Sequence, residues 1–377
     1  MNRSRRIALV SCLVAAFGSA AFAADGPSNE PPKVAFKAYY LVDFATDTVL
    51  ASSDADEQLP PASLTKLMTA YVVFSALRNG RIKIDDQAPV SVKAWHQGGT
   101  RMFIEPNSRV PVEDLVRGML IQSGNDASVA LAEYVGGSVD EFVVQMNAAA
   151  KRLGMNNSQW RNPHGLPARD HYTTAHDLAI LGRAIIAQFP DYYRLYSERE
   201  FSYNGITQQN RNQLLWRDPS VDGMKTGHTS ASGYCLVSSA EREGMRLIAV
   251  VLGAQSPRQR NDGAKKLLDY GFANYETRKL YSAGQQIEAA PVIGGEAEFA
   301  GVGPAADIFV TIPRGGFALL QASMDRLQEL AAPLVPGATV GSVNVSFGGR
   351  QLASAPLVVL TGVAEGGVWS RLKSALK

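Results

Sequence analysis

After Tyr281 the apolar residues stop recurring at helical spacing, and that change limits the possible folds more than any other feature of the chain. Short runs rich in β-formers follow at 286–292, 308–312, 339–347 and 357–362. Gly294-Gly295, Pro313, Pro336-Gly337 and Gly348-Gly349 punctuate them. This texture predicts a small all-β sandwich over residues 281–365. The preceding part reads differently. A hairpin is expected from 35–43 and 48–52, joined through Ala45-Thr46-Asp47, and Pro60-Pro61 ends it. From Ser63 onward, Leu64, Leu67, Met68, Tyr71, Val72 and Phe74 recur at helical spacing with few charges between them, which predicts a mostly buried helix. Helical patterns return at 112–122, 126–134, 139–153 and 174–188, strands at 234–240 and 246–252, and a helix at 260–270. Strands, then helices, then strands, without regular alternation, predict an α+β domain over residues 34–277, an antiparallel sheet packed on a helical cluster. A chain of 377 residues exceeds one ordinary core, so two domains are expected.

The first 23 residues read as an export signal. Arg3, Arg5 and Arg6 precede a short apolar run, and Ala21-Phe22-Ala23 offers the small residues of a cleavage site. The apolar run is too short to span a bilayer. Residues 24–33 are polar and rich in Pro and Gly, as in a linker. Loss of the three leader arginines would turn the formal charge of +2 slightly negative. Such a chain lacks the field that holds a polyanion, so nucleic acid is not an expected partner. Cleavage also removes Cys12 and leaves Cys235, so no internal disulfide is expected and the core must hold the fold. Cys235 lies in a strand-like run and reads as a buried, inert thiol.

Three short motifs can carry chemistry. Ser63-Leu64-Thr65-Lys66 puts a hydroxyl and an amine one helical turn apart on one face. Serine needs a base to become a nucleophile, and a lysine can be that base once burial and a second cation lower its pKa. The pattern also occurs at 370–373 and 374–377, where no chain follows to complete a site. Ser123-Gly124-Asn125 lies between two helical patterns, a turn able to project a hydroxyl and an amide into a cleft, with Asp126 as a candidate helix cap. The same spacing of Ser and Asn recurs at 202–204 and 342–344 outside such a context. Lys225-Thr226-Gly227 precedes a strand and supplies a positive charge, a hydroxyl and room for close backbone approach.

In this order and spacing the three motifs resemble the signature of the serine penicillin-binding and β-lactamase superfamily. The stretches 61–70, 123–127, 162–166 (Asn162-Pro163-His164-Gly165-Leu166), 221–229 and 267–272, with the β-rich tail, are similar to the low-molecular-mass D-alanyl-D-alanine carboxypeptidases of the penicillin-binding protein 5 type. The resemblance implies that Ser63 attacks the D-Ala-D-Ala carbonyl of the peptidoglycan stem peptide and that Lys66 is the general base. Ser123 would relay a proton to the leaving D-Ala, and Asn125 would bind the substrate amide or orient Lys66. Lys225 would help hold Ser123 and, with Thr226, attract the substrate carboxylate. Gly227 belongs to that substrate edge, and the N–H groups of Ser63 and His228 would form the oxyanion hole. Arg260 falls where the family has an arginine near the carboxylate site, but Gly263 stands where an acid is usual, so Arg260 is left out of the expected set.

The resemblance further implies no cofactor or metal, covalent inhibition by β-lactams, and a periplasmic place on the outer face of the inner membrane. Residues 366–377 end the chain after Gly366-Gly367, with Val368, Trp369, Leu372, Ala375 and Leu376 on one side and Arg371, Lys373 and Lys377 around them. Such a segment suits an anionic interface. Three other readings carry less. A class A β-lactamase would need a Glu-x-x-Leu-Asn run, which is not found. A zinc peptidase would need clustered ligands beyond His171 and His176. A wall-binding protein without activity would be expected to have lost a motif residue.

Overall fold

The computed structural model describes residues 30–367 together with the pair Ile7–Ala8; residues 1–6, 9–29 and 368–377 lie outside the described residues. The described residues divide into two compact units, 30–272 and 273–367.

The first unit is built on a five-stranded antiparallel sheet. Its strands are β1 (Ala38–Asp43), β2 (Val49–Ser53), β3 (Val221–Thr229), β4 (Gly233–Arg242) and β5 (Met245–Ala254), in the order β2-β1-β5-β4-β3. Both faces are covered, which is why β4 and β5 read as nearly continuous apolar runs. Tyr40, Val42, Val237, Ile248 and Val250 face the helical core. Leu41 and Leu247 point the other way, onto helix α6 (Pro257–Asn274), where Gly271 has no room for a Cβ. The helical core holds α1 (Thr65–Arg78), α2 (Val112–Leu120), α3 (Asn125–Gly136), α4 (Val139–Leu153) and α5 (Ala175–Gln188). Helix α1 is buried on nearly every side and packs on α3, α4 and α5. Its all-round burial follows from a first half with one charged residue, Lys66. Phe74 is fully buried, stacked on Tyr192 at 5.1 Å and tilted against Phe189. Phe74→Ala is therefore expected to cost about 3–5 kcal/mol of stability, read by denaturant unfolding.

The second unit is all β. Seven strands form one sheet in the order Ile7–Ala8, Leu320–Arg326, Thr339–Phe347, Arg350–Val359, Phe299–Pro304, Glu288–Ile293, Leu330–Ala331. Tyr275–Tyr281 pairs with Ile308–Pro313 in a second, two-stranded sheet. That pairing draws residues 273–281 into the β unit and puts the division earlier than the change of sequence texture. Val302, Val310, Val343, Val345 and Leu357 form its core.

Candidate active site

The site is built around the start of α1. A single 3-10 turn, Ala62–Leu64, carries Ser63 and runs into the α-helix at Thr65. Lys66 follows one turn later with its side chain fully buried. Its Nζ lies 3.0 Å from Ser63 Oγ, 2.7 Å from Asn125 Oδ1 and 2.7 Å from the His164 carbonyl oxygen. Burial first, and the Lys225 ammonium second, hold Lys66 well below the usual lysine range. A neutral amine has two N–H donors and one lone pair. The two shortest contacts accept those donors, so the lone pair is left facing the Ser63 hydroxyl. The helix thus holds a hydroxyl and a buried, oriented amine 3.0 Å apart.

Asn125 opens α3, and its two amide atoms are both engaged: Oδ1 accepts from Lys66 and Nδ2 donates to the Gly98 carbonyl at 2.7 Å. The Lys66 contact is the geometry one of the two expected uses of Asn125 requires. Asp126 is not the cap of this helix, which is Gly124. Its carboxylate instead accepts backbone N–H groups of Met102, Phe103 and Ile104, tying down the loop beside the site. Ser123 is buried and held at φ 71, an uncommon backbone state for serine. Arg211 donates to the neighbouring Gln122 carbonyl at 3.1 Å, and the Gly124 N–H donates to Gly118, so the turn is held from both sides.

Strand β3 forms the other wall with Lys225, Thr226, Gly227 and His228. Lys225 is buried, and its Nζ donates to the Thr226 carbonyl at 3.1 Å. Among the described residues no hydrogen bond joins it to Ser123, contrary to expectation. Burial, then the nearby Arg211 and Arg260 guanidiniums, pull Lys225 down to about 7, so it is not a permanent charge. Gly227 also serves a different neighbour from the one expected. A Cβ there would meet Pro61, Ala62 and Leu64 at 3.2 Å, so its smallness lets β3 lie against the nucleophile turn. His228 is exposed and stacks on Tyr234 at 4.0 Å.

Ser63, Ser123, Thr226, Gly227 and His228 line one cleft of about 670 Å³, with Lys66, Asn125 and Lys225 behind them. Arg211 and Arg260 line it too. Arg260 is 6% exposed, and burial lowers its guanidinium to about 10, so it stays charged at neutral pH. Its Nε donates to Asn261 Oδ1 at 3.1 Å. At Gly263, where an acid was expected, the ring of Phe36 fills the space a side chain would take. Sequence reasoning omitted Arg260 for lack of that acid and missed Arg211. The run of amides around Arg211, from Gln208 to Asn212, was the available signal. Cys235 lies outside the cleft lining, free and buried, with burial pushing its thiol up to about 11.

A family profile described as D-alanyl-D-alanine carboxypeptidase matches residues 25–256, and one for the C-terminal domain of penicillin-binding protein 5 matches 275–365. The chain is 42% identical to the D-alanyl-D-alanine carboxypeptidase DacC of Escherichia coli, over 98% of this chain and 94% of that one. It is 40% identical to DacA of Haemophilus influenzae, over 99% and 96%. Among solved structures, penicillin-binding protein 5 from Haemophilus influenzae superposes with a TM-score of 0.83 at 42% identity, covering 89% of this chain and 99% of that one. Penicillin-binding protein D2 from Listeria monocytogenes, in its ampicillin-bound form, matches 64% of this chain and 99% of its own at 30% identity and a TM-score of 0.57.

Proposed function

The chain belongs to the D-alanyl-D-alanine carboxypeptidase family of serine peptidases, and we propose from that premise that it removes the terminal D-Ala of peptidoglycan stem pentapeptides through an acyl-enzyme on Ser63. One observation supports the reading most: the Lys66 amine is stripped of water and oriented by Asn125 and His164, with Ser63 Oγ in reach. Lys66 takes the hydroxyl proton as Oγ attacks the carbonyl of the penultimate D-Ala. The negative oxygen that forms is received by the N–H groups of Ser63 and His228. Ser123 passes a proton to the departing amine, the C–N bond breaks, and free D-Ala leaves. Water then adds to the ester, the acyl–Oγ bond breaks to release the tetrapeptide acid, and Ser63 Oγ regains its proton. Thr226, Arg260 and Lys225 receive the substrate's terminal carboxylate. The same attack on a β-lactam ring leaves the ring-opened drug on Ser63.

The test is product analysis. The protein with a pentapeptide ending in D-Ala-D-Ala is expected to yield a tetrapeptide and free D-Ala, and to hold fluorescent penicillin covalently. Rapid release of the label with no D-Ala formed would instead identify a β-lactamase. Lys225 gives a finer prediction. Its charge is present below about pH 7 and is lost as pH rises through that value. At pH 6, Lys225→Gln is therefore expected to lose about tenfold more activity on the free acid than on its ester, the value of one charge-assisted hydrogen bond. Equal losses would argue against carboxylate recognition by this residue. Place in the cell is read from the sequence: the leader at 1–23 and the basic, apolar segment at 366–377 support an exported enzyme resting on an anionic membrane face.

A further inference from the structure

The turn that carries Ser63 is strained. Ala62 has φ 48, the left-handed region that a residue with a Cβ rarely adopts. Its carbonyl oxygen is hemmed in on one side by Gly165, where a Cβ would lie 1.9 Å from it. On the other side the Thr65 hydroxyl donates to it at 2.8 Å. Thr65 Oγ1 also lies 2.9 Å from Nε2 of His171, a buried residue from a distant loop. The remaining ring nitrogen, Nδ1, accepts the Arg161 backbone N–H at 2.8 Å.

These contacts admit one direction of donation. Nδ1 faces a backbone donor and must be the acceptor, so in neutral His171 the proton sits on Nε2 and is donated to Thr65. Burial keeps His171 neutral, lowering it to about 4. A hydroxyl has one proton, so a Thr65 that accepts from His171 must spend its own on the Ala62 carbonyl. In a trans peptide the C=O and N–H point opposite ways. Fixing the Ala62 carbonyl therefore fixes the direction of the Ser63 N–H.

We propose that His171 is a positioning residue, acting through Thr65 and the Ala62 carbonyl to aim the Ser63 N–H at the oxygen that becomes negative during acylation. The proposal rests on Ser63 being the nucleophile. The ring is itself set edge-on by Trp160, with centroids 5.8 Å apart, so the donor does not swing. Neither His171 nor Thr65 touches the reacting atoms, and their effect is confined to how well a strained turn keeps its geometry.

The experiment measures penicillin acylation of the full chain under saturation, separating the acylation rate constant from non-covalent binding. Loss of a well-aimed oxyanion donor costs about 10²–10³ in rate, and a misaimed one part of that. His171→Asn keeps an acceptor for Arg161 but cannot donate to Thr65, and is expected to acylate about tenfold to a hundredfold more slowly with binding unchanged. Thr65→Val should match it, and the double variant should be no slower than the slower single one. His171→Gln, which restores a donor near Nε2, and Thr65→Ser should recover most of the rate. Wild-type rates in His171→Asn and Thr65→Val, whatever their melting temperatures, would overturn the proposal. So would losses that multiply in the double variant. If the wild-type protein carries its label elsewhere than Ser63, the nucleophile assignment and this proposal both fail.

Discussion

Ser63→Ala is expected to abolish both penicillin labelling and D-Ala release while leaving the fold in place. The loss should reach at least about 10⁴-fold, because without the hydroxyl no ester can form and the remaining donors act only on binding and polarisation. Stability should change by less than about 1 kcal/mol. Ser63 is only partly buried, its side chain is small, and its side-chain bond among the described residues is to Lys66, which keeps two short acceptors. Intact-mass analysis after β-lactam treatment reads the outcome. A full mass shift in the variant would move the nucleophile to another residue.

The second large effect is expected at Lys66. Lys66→Arg should lose about 10³-fold or more in acylation, because a guanidinium stays protonated at working pH and offers no lone pair. The change keeps the charge that a merely electrostatic role would need, so it separates a base from a cation. The pH profile of the wild-type protein checks the same point. Burial and Lys225 depress the Lys66 pKa, which favours the neutral amine, and the amine becomes protonated as pH falls through its lowered value. Acylation should therefore be lost toward acid. A rate flat down to acid pH, or substantial acylation by Lys66→Arg, would show that another group takes the proton.

Much of the first unit was legible because its signals are local. The helix predicted over 139–153 runs over Val139–Leu153, and that over 174–188 over Ala175–Gln188. In the second unit, the strand predicted at 339–347 is Thr339–Phe347. Misses fall where periodicity is weak. Leu320–Arg326 and Phe299–Pro304 carry few β-branched residues, and Tyr275–Tyr281 is interrupted by charge, so only their pairing partners reveal them as strands. The strand expected at 357–362 instead ends at Val359, within Arg350–Val359, because it is pinned by a hairpin with Thr339–Phe347.

The site divides along the same line. The sequence by itself determined that Ser63 and Lys66 share a helix face one turn apart, since three residues of helix set that distance whatever surrounds it. It also determined that Ser123, Asn125 and Lys225 belong to the same set, through their order and spacing. What those groups are worth chemically was decided by the tertiary structure. Lys66 is held below the usual lysine range and Lys225 is pulled down to about 7 because segments far apart in the chain remove their water and bring other cations close. Gly227 is small for the sake of the nucleophile turn, and His171 reaches Thr65 from more than a hundred residues away. Desolvation and contact across such separations depend on which segments the packed core brings together, and no local pattern records that.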